Sequence, residues 1–412
     1  YNSKVVNADV APDISLARDN TLDDCRITFS PLIDDSISER CARSANHRYE
    51  YVLDSVFAKF KNSEILKAIA LTTIVACIAS VVTGVVIEET AKEAYVGGFC
   101  GYNYCKISGS ISESEVKAKT LYNKYTKCGG FVGANDGVVE YCNAYGKEGE
   151  YGKKGEIEFK MHAGGYLGGF VGENISNIYD CKSKIDVKNG KCTGGFCGYN
   201  EGGIIGSENI DGNAETDAKT STNTTRCGGF VGYNKNGSIE GCKSQGNAKG
   251  NEYVGGFCGD NVAKIANSSS TGSATANAKI RTTKCGGFVG ENSGTIDNSN
   301  CNSGVYDKII GQEYVGGFVG MNKKNINKCS CITKHIEAKT ETHNTYVGGF
   351  VGVNSDGTIT ECNATNLSTK TDISKETRSV EAKSNSGQAK VGGFVGVNKA
   401  KIKKSNSTGH HI

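Results

Sequence analysis

Tyr346-Val347-Gly348-Gly349-Phe350-Val351-Gly352-Val353-Asn354, followed by Ser355-Asp356-Gly357-Thr358-Ile359-Thr360-Glu361-Cys362, decides the fold. Its central phrase, Gly-Gly-Phe-(Val/Cys)-Gly-X-Asn, occurs ten times. The phenylalanines are Phe99, Phe131, Phe170, Phe196, Phe230, Phe257, Phe288, Phe318, Phe350 and Phe394, spaced 26 to 44 residues apart. Four residues after each stands an asparagine: Asn103, Asn135, Asn174, Asn200, Asn234, Asn261, Asn292, Asn322, Asn354 and Asn398. Self-similarity at that period is the mark of stacked units, each unable to bury its apolar face alone.

The phrase reads as a short strand, an Asx/Gly turn and a second strand, followed by a variable polar return. Short strands at this period predict a mainly β fold, a ten-repeat β-solenoid. Paired glycines lack Cβ and allow a bend or close backbone approach. In a stack each Phe lies over its counterpart about 4.8 Å away, and the asparagines form an amide ladder of the kind seen in cross-β structures. A second apolar column is expected at Val139, Ile178, Ile205, Ile239, Ile265, Ile296, Ile326, Ile359 and Ile402.

Composition agrees. Of 412 residues 55 are glycine and only 2 proline, and tryptophan is absent, which suits a thin repeated core. The glycines come in pairs within a longer period, which excludes collagen. With 47 basic and 44 acidic residues the net charge is +3, and the charges are mixed along the chain, so no nucleic-acid partner is expected.

There are 18 cysteines and no Cys-x2-Cys pair, so disulfides are expected rather than zinc. Cys142 and Cys181 stand three residues after the isoleucine column in adjacent units, as do Cys329 and Cys362, while Cys301 and Cys331 stand five after it. Equivalent positions on stacked rungs fall inside the disulfide window. Cysteine also replaces the residue after Phe at Cys100, Cys197 and Cys258, and the residue before Gly-Gly at Cys128, Cys227 and Cys285, each time in consecutive units. Pairing Cys100–Cys128, Cys197–Cys227 and Cys258–Cys285 requires the glycine pair to bend the chain or shift the rung. Cys105, Cys192 and Cys242 have no obvious partner; Cys25 and Cys41 form a further candidate pair, and Cys77 reads as a buried thiol.

The N-terminal quarter differs in kind. Residues 1–64 hold both prolines and none of the repeat, and Tyr51, Val52, Val56, Phe57 and Phe60 predict an amphipathic helix. Within residues 65–90, Ala68 to Ile87 carry no charge; as a helix this run matches the thickness of a bilayer core. A membrane anchor, a cleaved signal peptide and a helix buried against protein are the competing readings. Lys59, Lys61 and Lys67 before it, with Glu88 and Glu89 after it, place the repeats of residues 91–412 outside the membrane under the first reading.

Catalytic signals are missing. The six histidines form no His-Glu-x-x-His motif, and neither a Gly-x-Ser-x-Gly elbow nor a phosphate-binding loop occurs. His335 and His343 read as exposed loop residues. No enzyme activity, cofactor or metal is expected.

Gly228 to Cys242 and Gly348 to Cys362 fit the pattern Gly-Gly-Phe-Val-Gly-X-Asn-X-X-Gly-X-Ile-X-X-Cys, which resembles the GLUG motif of bacterial surface proteins. The resemblance covers about Tyr95 to Gly409. In similar proteins, such as IgA-specific metallopeptidases and large adhesins, these repeats are scaffold or display surface, with peptidase chemistry in a separate domain. The resemblance therefore implies an architecture and transfers no catalytic residue. The resulting expectation is an extracellular or cell-surface structural protein, a filament or layer subunit that self-associates through residues 68–87 and the solenoid ends. The alternative is a membrane-anchored adhesin whose loops bind a host protein or glycan.

Overall fold

In a computed structural model the chain is described over residues 88–89, 94–114, 116–120, 126–145, 155–159, 165–216, 224–277, 282–302, 308–341, 343–366 and 380–409. The described residues wind into ten rungs of five short strands, and like strands pair in parallel into five ten-stranded sheets. In the first rung the five sides of the coil are β1 (Glu88–Glu89), β2 (Ala94–Gly97), β3 (Cys100–Asn103), β4 (Ile107–Ser108) and β5 (Ile111–Ser112). We number the sides I to V in that order. The repeat phrase makes the corner between sides II and III in every rung.

The register is strict: Asn103 pairs with Asn135, Asn135 with Asn174, and so on to Asn354 with Asn398. Consequently each phenylalanine ring stacks on the next with centroids 4.7–5.0 Å apart and nearly parallel planes. The eight inner rings are fully buried. Burial stabilises by roughly 1.5–3 kcal/mol per ring, and stacking adds about 0.5–1.5 kcal/mol per contact. Each asparagine Nδ2 donates to the Oδ1 of the asparagine one rung on, at 2.8–2.9 Å, without a break from Asn103 to Asn398. The amides from Asn103 to Asn354 are buried, and between Asn135 and Asn354 the ladder satisfies both ends of each.

Two of the motif glycines are fixed by close approach. A Cβ on Gly348 would lie 1.9 Å from the Val351 carbonyl oxygen, inside the corner itself. A Cβ on Gly352 would lie 2.6 Å from the Gly320 oxygen and 2.8 Å from the Val315 nitrogen, because side III there lies directly against side II of the rung before. The paired glycines thus turn the chain within a rung and leave the register between rungs untouched.

Apolar side chains form two buried clusters. One runs the length of the coil around the phenylalanines, the valines that follow them and the isoleucines of side IV. The other lies between sides I and II, with Ala214, Ala248, Ala274, Ile309 and Ile336 against Cys227, Val254, Cys285, Val315 and Val347.

Two readings of the sequence are corrected. In the fourth rung the isoleucine column contains Ile204, which pairs with Ile178 and Ile239, whereas Ile205 is exposed. Two adjacent isoleucines make the two registers indistinguishable in the sequence. The polar return, which reads in the sequence as loops or extra strands, holds the strands of sides V and I. Glu88–Glu89, assigned to the end of a long helix, is strand. The helical extension over 1–64 and the rest of the apolar stretch lie outside the described residues, as do Cys25, Cys41 and Cys77; among the described residues no helix is long and apolar enough to cross a membrane.

Replacing an inner ring removes two stacking contacts and leaves a cavity. Phe257→Ala is expected to destabilise the coil by about 3–5 kcal/mol. Phe394→Ala at the last rung should cost markedly less. Hydrogen exchange of the flanking strands, read alongside denaturant unfolding, measures both.

Candidate functional site

The cysteines repay the closest reading. At the corner between sides IV and V every rung carries one residue in the left-handed region: Gly109, Tyr141, Asp180, Gly206, Gly241, Asn267, Asn298, Lys328, Glu361 and Lys404, with φ between 45° and 65°. The residue after each is a serine or a cysteine: Ser110, Cys142, Cys181, Ser207, Cys242, Ser268, Ser299, Cys329, Cys362 and Ser405. Each of these side chains donates to the carbonyl two residues back, at 2.8–3.3 Å. From the second rung on, these side chains also accept from the backbone N–H of the same position one rung earlier; examples are Cys142 N–H to Cys181 Sγ at 3.3 Å and Cys181 N–H to Ser207 Oγ at 3.2 Å. Cys329 N–H meets Cys362 Sγ at 3.4 Å, and Cys362 N–H meets Ser405 Oγ at 3.2 Å. The column pins a strained corner, where a non-glycine residue at positive φ costs about 1–2 kcal/mol. Thiol and hydroxyl are interchangeable parts of one hydrogen-bonded string.

Cys301 and Cys331 are register partners on side V. Their column packs under the glycine pair: Cys301 Sγ donates to Gly317 O at 3.2 Å, as Ser112 Oγ does to Gly130 O and Ser407 Oγ to Gly393 O at 2.8 Å. Six further cysteines take places in largely apolar columns, whereas Cys192 lies between Tyr166 and Arg226 on side II. Cys100 stacks under Val132, Cys197 between Val171 and Val231, and Cys258 between Val231 and Val289. Cys128 lies between Val96 and Leu167, Cys227 between Thr193 and Val254, and Cys285 between Val254 and Val315.

The expected bridges Cys100–Cys128, Cys197–Cys227 and Cys258–Cys285 are therefore not formed. Their members sit in different sheets, and the glycine corner does not shift the rung to bring them together. The pairs Cys142/Cys181, Cys329/Cys362 and Cys301/Cys331 are brought to neighbouring positions, but as thiols within hydrogen-bonded columns. No disulfide joins the described cysteines. Burial pushes the thiols of Cys128, Cys227 and Cys242 up from 9.0 to about 12. A hydrogen bond with Cys181 holds Cys142 below the ordinary thiol value, while burial pushes Cys181 up.

The outer surface of sides II and III forms a second ordered feature. The outward column of side II contains Tyr95, Lys127, Tyr166, Arg226, Tyr253, Lys284, Tyr314 and Tyr346; that of side III contains Tyr102, Glu173, Tyr199, Tyr233, Asp260 and Glu291. The two columns interlock. Lys127 pairs with Glu173 at 2.7 Å, Arg226 with Asp260 at 2.7 Å, and Lys284 with Glu291. The rings of Tyr166 and Tyr199 stack at 4.4 Å, and the Arg226 guanidinium lies 4.0 Å from the Tyr233 ring centre. Burial raises Glu291, yet hydrogen bonds from Lys284 and Lys323 outweigh it and hold the carboxyl below its usual range. This strip is satisfied by its own charges and aromatic contacts, and it belongs to the scaffold.

No group of three or more metal-ligating side chains occurs among the described residues. His335, expected in a loop, lies in a strand and contacts Glu337 at 3.2 Å; His343 is half exposed. Exposed apolar side chains are scattered along the coil: Ile111 in the first rung is 52% exposed, and Val391, in the column that starts at the buried Val96, is 51% exposed.

Against known proteins, the family model of the GLUG motif matches residues 343–369, the ninth rung. That motif is the phrase repeated through the other rungs of the coil. No curated protein and no solved structure matches the chain.

Two outcomes check the cysteine assignment. Cys181→Ser should retain wild-type stability, because Ser207 does the same work one rung on, whereas Cys181→Ala should cost about 1–3 kcal/mol by orphaning the Cys142 N–H; chemical denaturation separates them. The thiols of Cys128, Cys227 and Cys242 are neutral when protonated and titrate higher in the fold than in the unfolded chain. Their stabilisation is complete below pH 9 and is lost as pH rises toward 12. Denaturation midpoints measured from pH 8 to 11.5 should fall, and Cys128→Val should flatten that fall.

Proposed function

We propose that this chain is a non-enzymatic extracellular or cell-surface structural protein that assembles into a filament or layer. One observation carries the reading: ten rungs stack in strict register on an unbroken column of rings and an unbroken amide ladder, which makes the repeats a stiff, extended scaffold. Units that contact only their neighbours suit an elongated structural element. The interior supports a tension-resisting role, since stacked rings and amides resist extension rung by rung. The GLUG motif, seen in surface proteins, agrees with this placement. The cysteines no longer argue for an oxidising compartment, because they act as serines and valines do.

An adhesin is the second reading. Tyr104 and Tyr141 are 49% and 60% exposed, and exposed aromatic rings on a rigid scaffold suit contact with sugars or protein. Electron microscopy of material from its source decides between them. Fibres or sheets with rungs about 4.8 Å apart along the axis are the expected result. Uniform single particles that bind a glycan array would favour the adhesin instead.

A further inference from the structure

We propose that side IV is the contact face of a two-fold, antiparallel dimer of this chain, in which the acidic and aromatic half of one copy lies on the lysine-rich half of the other. Such a pair forms with or without a filament. Side IV and its two corners keep a constant length. From the ladder asparagine to the corner serine or cysteine the chain advances seven residues in eight rungs and eight in the other two, as from Asn103 to Ser110 and from Asn234 to Cys242. The rest of the variation in rung length falls between that corner and the next phenylalanine, 15 residues from Cys181 to Phe196 and 32 from Cys362 to Phe394. Side IV is therefore an even face along the coil, as contact with a rigid neighbour over many rungs requires.

The same face carries exposed apolar side chains. Among the described residues of the first six rungs, the large apolar side chains that are exposed are Tyr104, Ile111, Tyr141, Ile175, Ile205 and Val262. Ile111 stands on side V beside the corner, and the other five stand on side IV or its corners. Single exposed apolar residues need no partner, but a set gathered on one side of a coil marks a contact surface.

Charge selects the partner. The charges of the whole chain are mixed, but on side IV they separate. There and at its corners the first four rungs carry Lys106 against Asp136, Glu140, Asp180 and Glu201, a balance of −3. The eighth to tenth rungs carry Lys323, Lys324, Lys328, Lys399, Lys401, Lys403 and Lys404 against Asp356 and Glu361, a balance of +5. Some of these charges are met locally: Lys106 pairs with Glu140 at 2.8 Å, Lys235 with Glu201 at 3.1 Å, Lys404 with Glu361 at 3.7 Å, and Lys323 with Glu291. Among the described residues Asp136, Asp180, Lys324, Lys328, Lys399, Lys401 and Lys403 join no ion pair. Turned end for end about an axis near the sixth rung, two copies set the second to fourth rungs of each on the eighth to tenth of the other. Ammonium groups then meet Asp136, Asp180 and the rings of Tyr141 and Tyr179, and lysine stems cover Ile175 and Ile205. Parallel pairing would instead set like charge on like. The contact uses the same patch on both copies, so it closes. Nine rungs at about 4.8 Å each, with a face about 15 Å wide, give roughly 650 Å² per copy, close to the ~800 Å² of a standard interface.

The test uses the full chain in three forms: wild type, an acidic-half variant (Asp136→Lys with Asp180→Lys) and a basic-half variant (Lys328→Asp with Lys403→Asp). Each introduced residue type already stands at the same place in another rung: Lys399 matches Asp136, Lys328 and Lys404 match Asp180, and Asp297 matches Lys403. The variants therefore keep the fold, and hydrogen exchange of sides II and III checks it. By sedimentation wild type should be a dimer that weakens roughly tenfold or more from low to high salt. Each variant alone should dimerise at least about tenfold more weakly than wild type. Their 1:1 mixture should regain the dimer, because both contacts then join unlike charges. Wild type that stays monomeric, or variants that dimerise as well as wild type, would overturn the assignment. So would a monomer that dextran sulfate captures through its lysines, since the basic half would then serve a polyanion. Dimers without fibres would remove the filament reading alone; fibres in all three forms, with no dimer in any, would remove the side IV contact alone.

Discussion

The vertical hydrogen bond between one asparagine and its copy a rung away is the constraint from which the rest of the structure follows. A side-chain amide completes the ladder only when the rung above is in the same register and about 4.8 Å distant. That geometry, repeated from Asn103 to Asn398, brings every other column into line: rings on rings, isoleucines on isoleucines, corner hydroxyls and thiols on backbone N–H groups. A slip of one residue would turn the buried face of each strand outward. It would also leave buried amides without partners, at about 1–3 kcal/mol each. Burial makes the coil compact; the polar ladder makes it one structure rather than several.

This explains which parts of the fold were legible in the sequence. A residue whose neighbours are copies of itself must recur without substitution, as Phe and Asn do here, so ten stacked levels could be read from spacing alone. Where neighbouring positions tolerate several residue types, the signal blurs. Side I is alanine in three successive rungs and isoleucine in the next two, which conceals a strand inside a polar-looking stretch. Ile204 and Ile205 offered two registers, and only the pairing with Ile178 distinguishes them.

The cysteines were misread for a physical reason. Their recurrence at fixed distances from the isoleucine column is real, and stacking does bring Cys142 next to Cys181 and Cys329 next to Cys362. The decisive clue lay in the residues that take their place: Ser110, Ser207, Ser268, Ser299 and Ser405 occupy the same column. A position that alternates between cysteine and serine calls for a small side chain that both donates and accepts, not for a bond between two sulfurs. In the same way, alternation with valine at Cys100, Cys197 and Cys258 calls for volume. Composition counts cysteines together; the columns separate them into three kinds of work.

The same periodicity that builds the coil creates its surface problem. In-register stacking sets identical outward residues about 4.8 Å apart, and like charges directly opposite are destabilising. Some outward columns avoid this by alternation, as where Lys182, Glu208 and Lys243 follow one another on side V. Where like charges do stack, a partner on the neighbouring side or in the same rung relieves them. Asp260 lies against Glu291 on side III, and Arg226 and Lys284 on side II meet them. Glu337 lies under Glu381 and Lys339 under Lys383, relieved by the ion pair between Lys383 and Glu381 at 2.6 Å. Likeness is thus demanded of the buried columns, whereas the outward columns stay compatible with stacking through ion pairs between and within the sides.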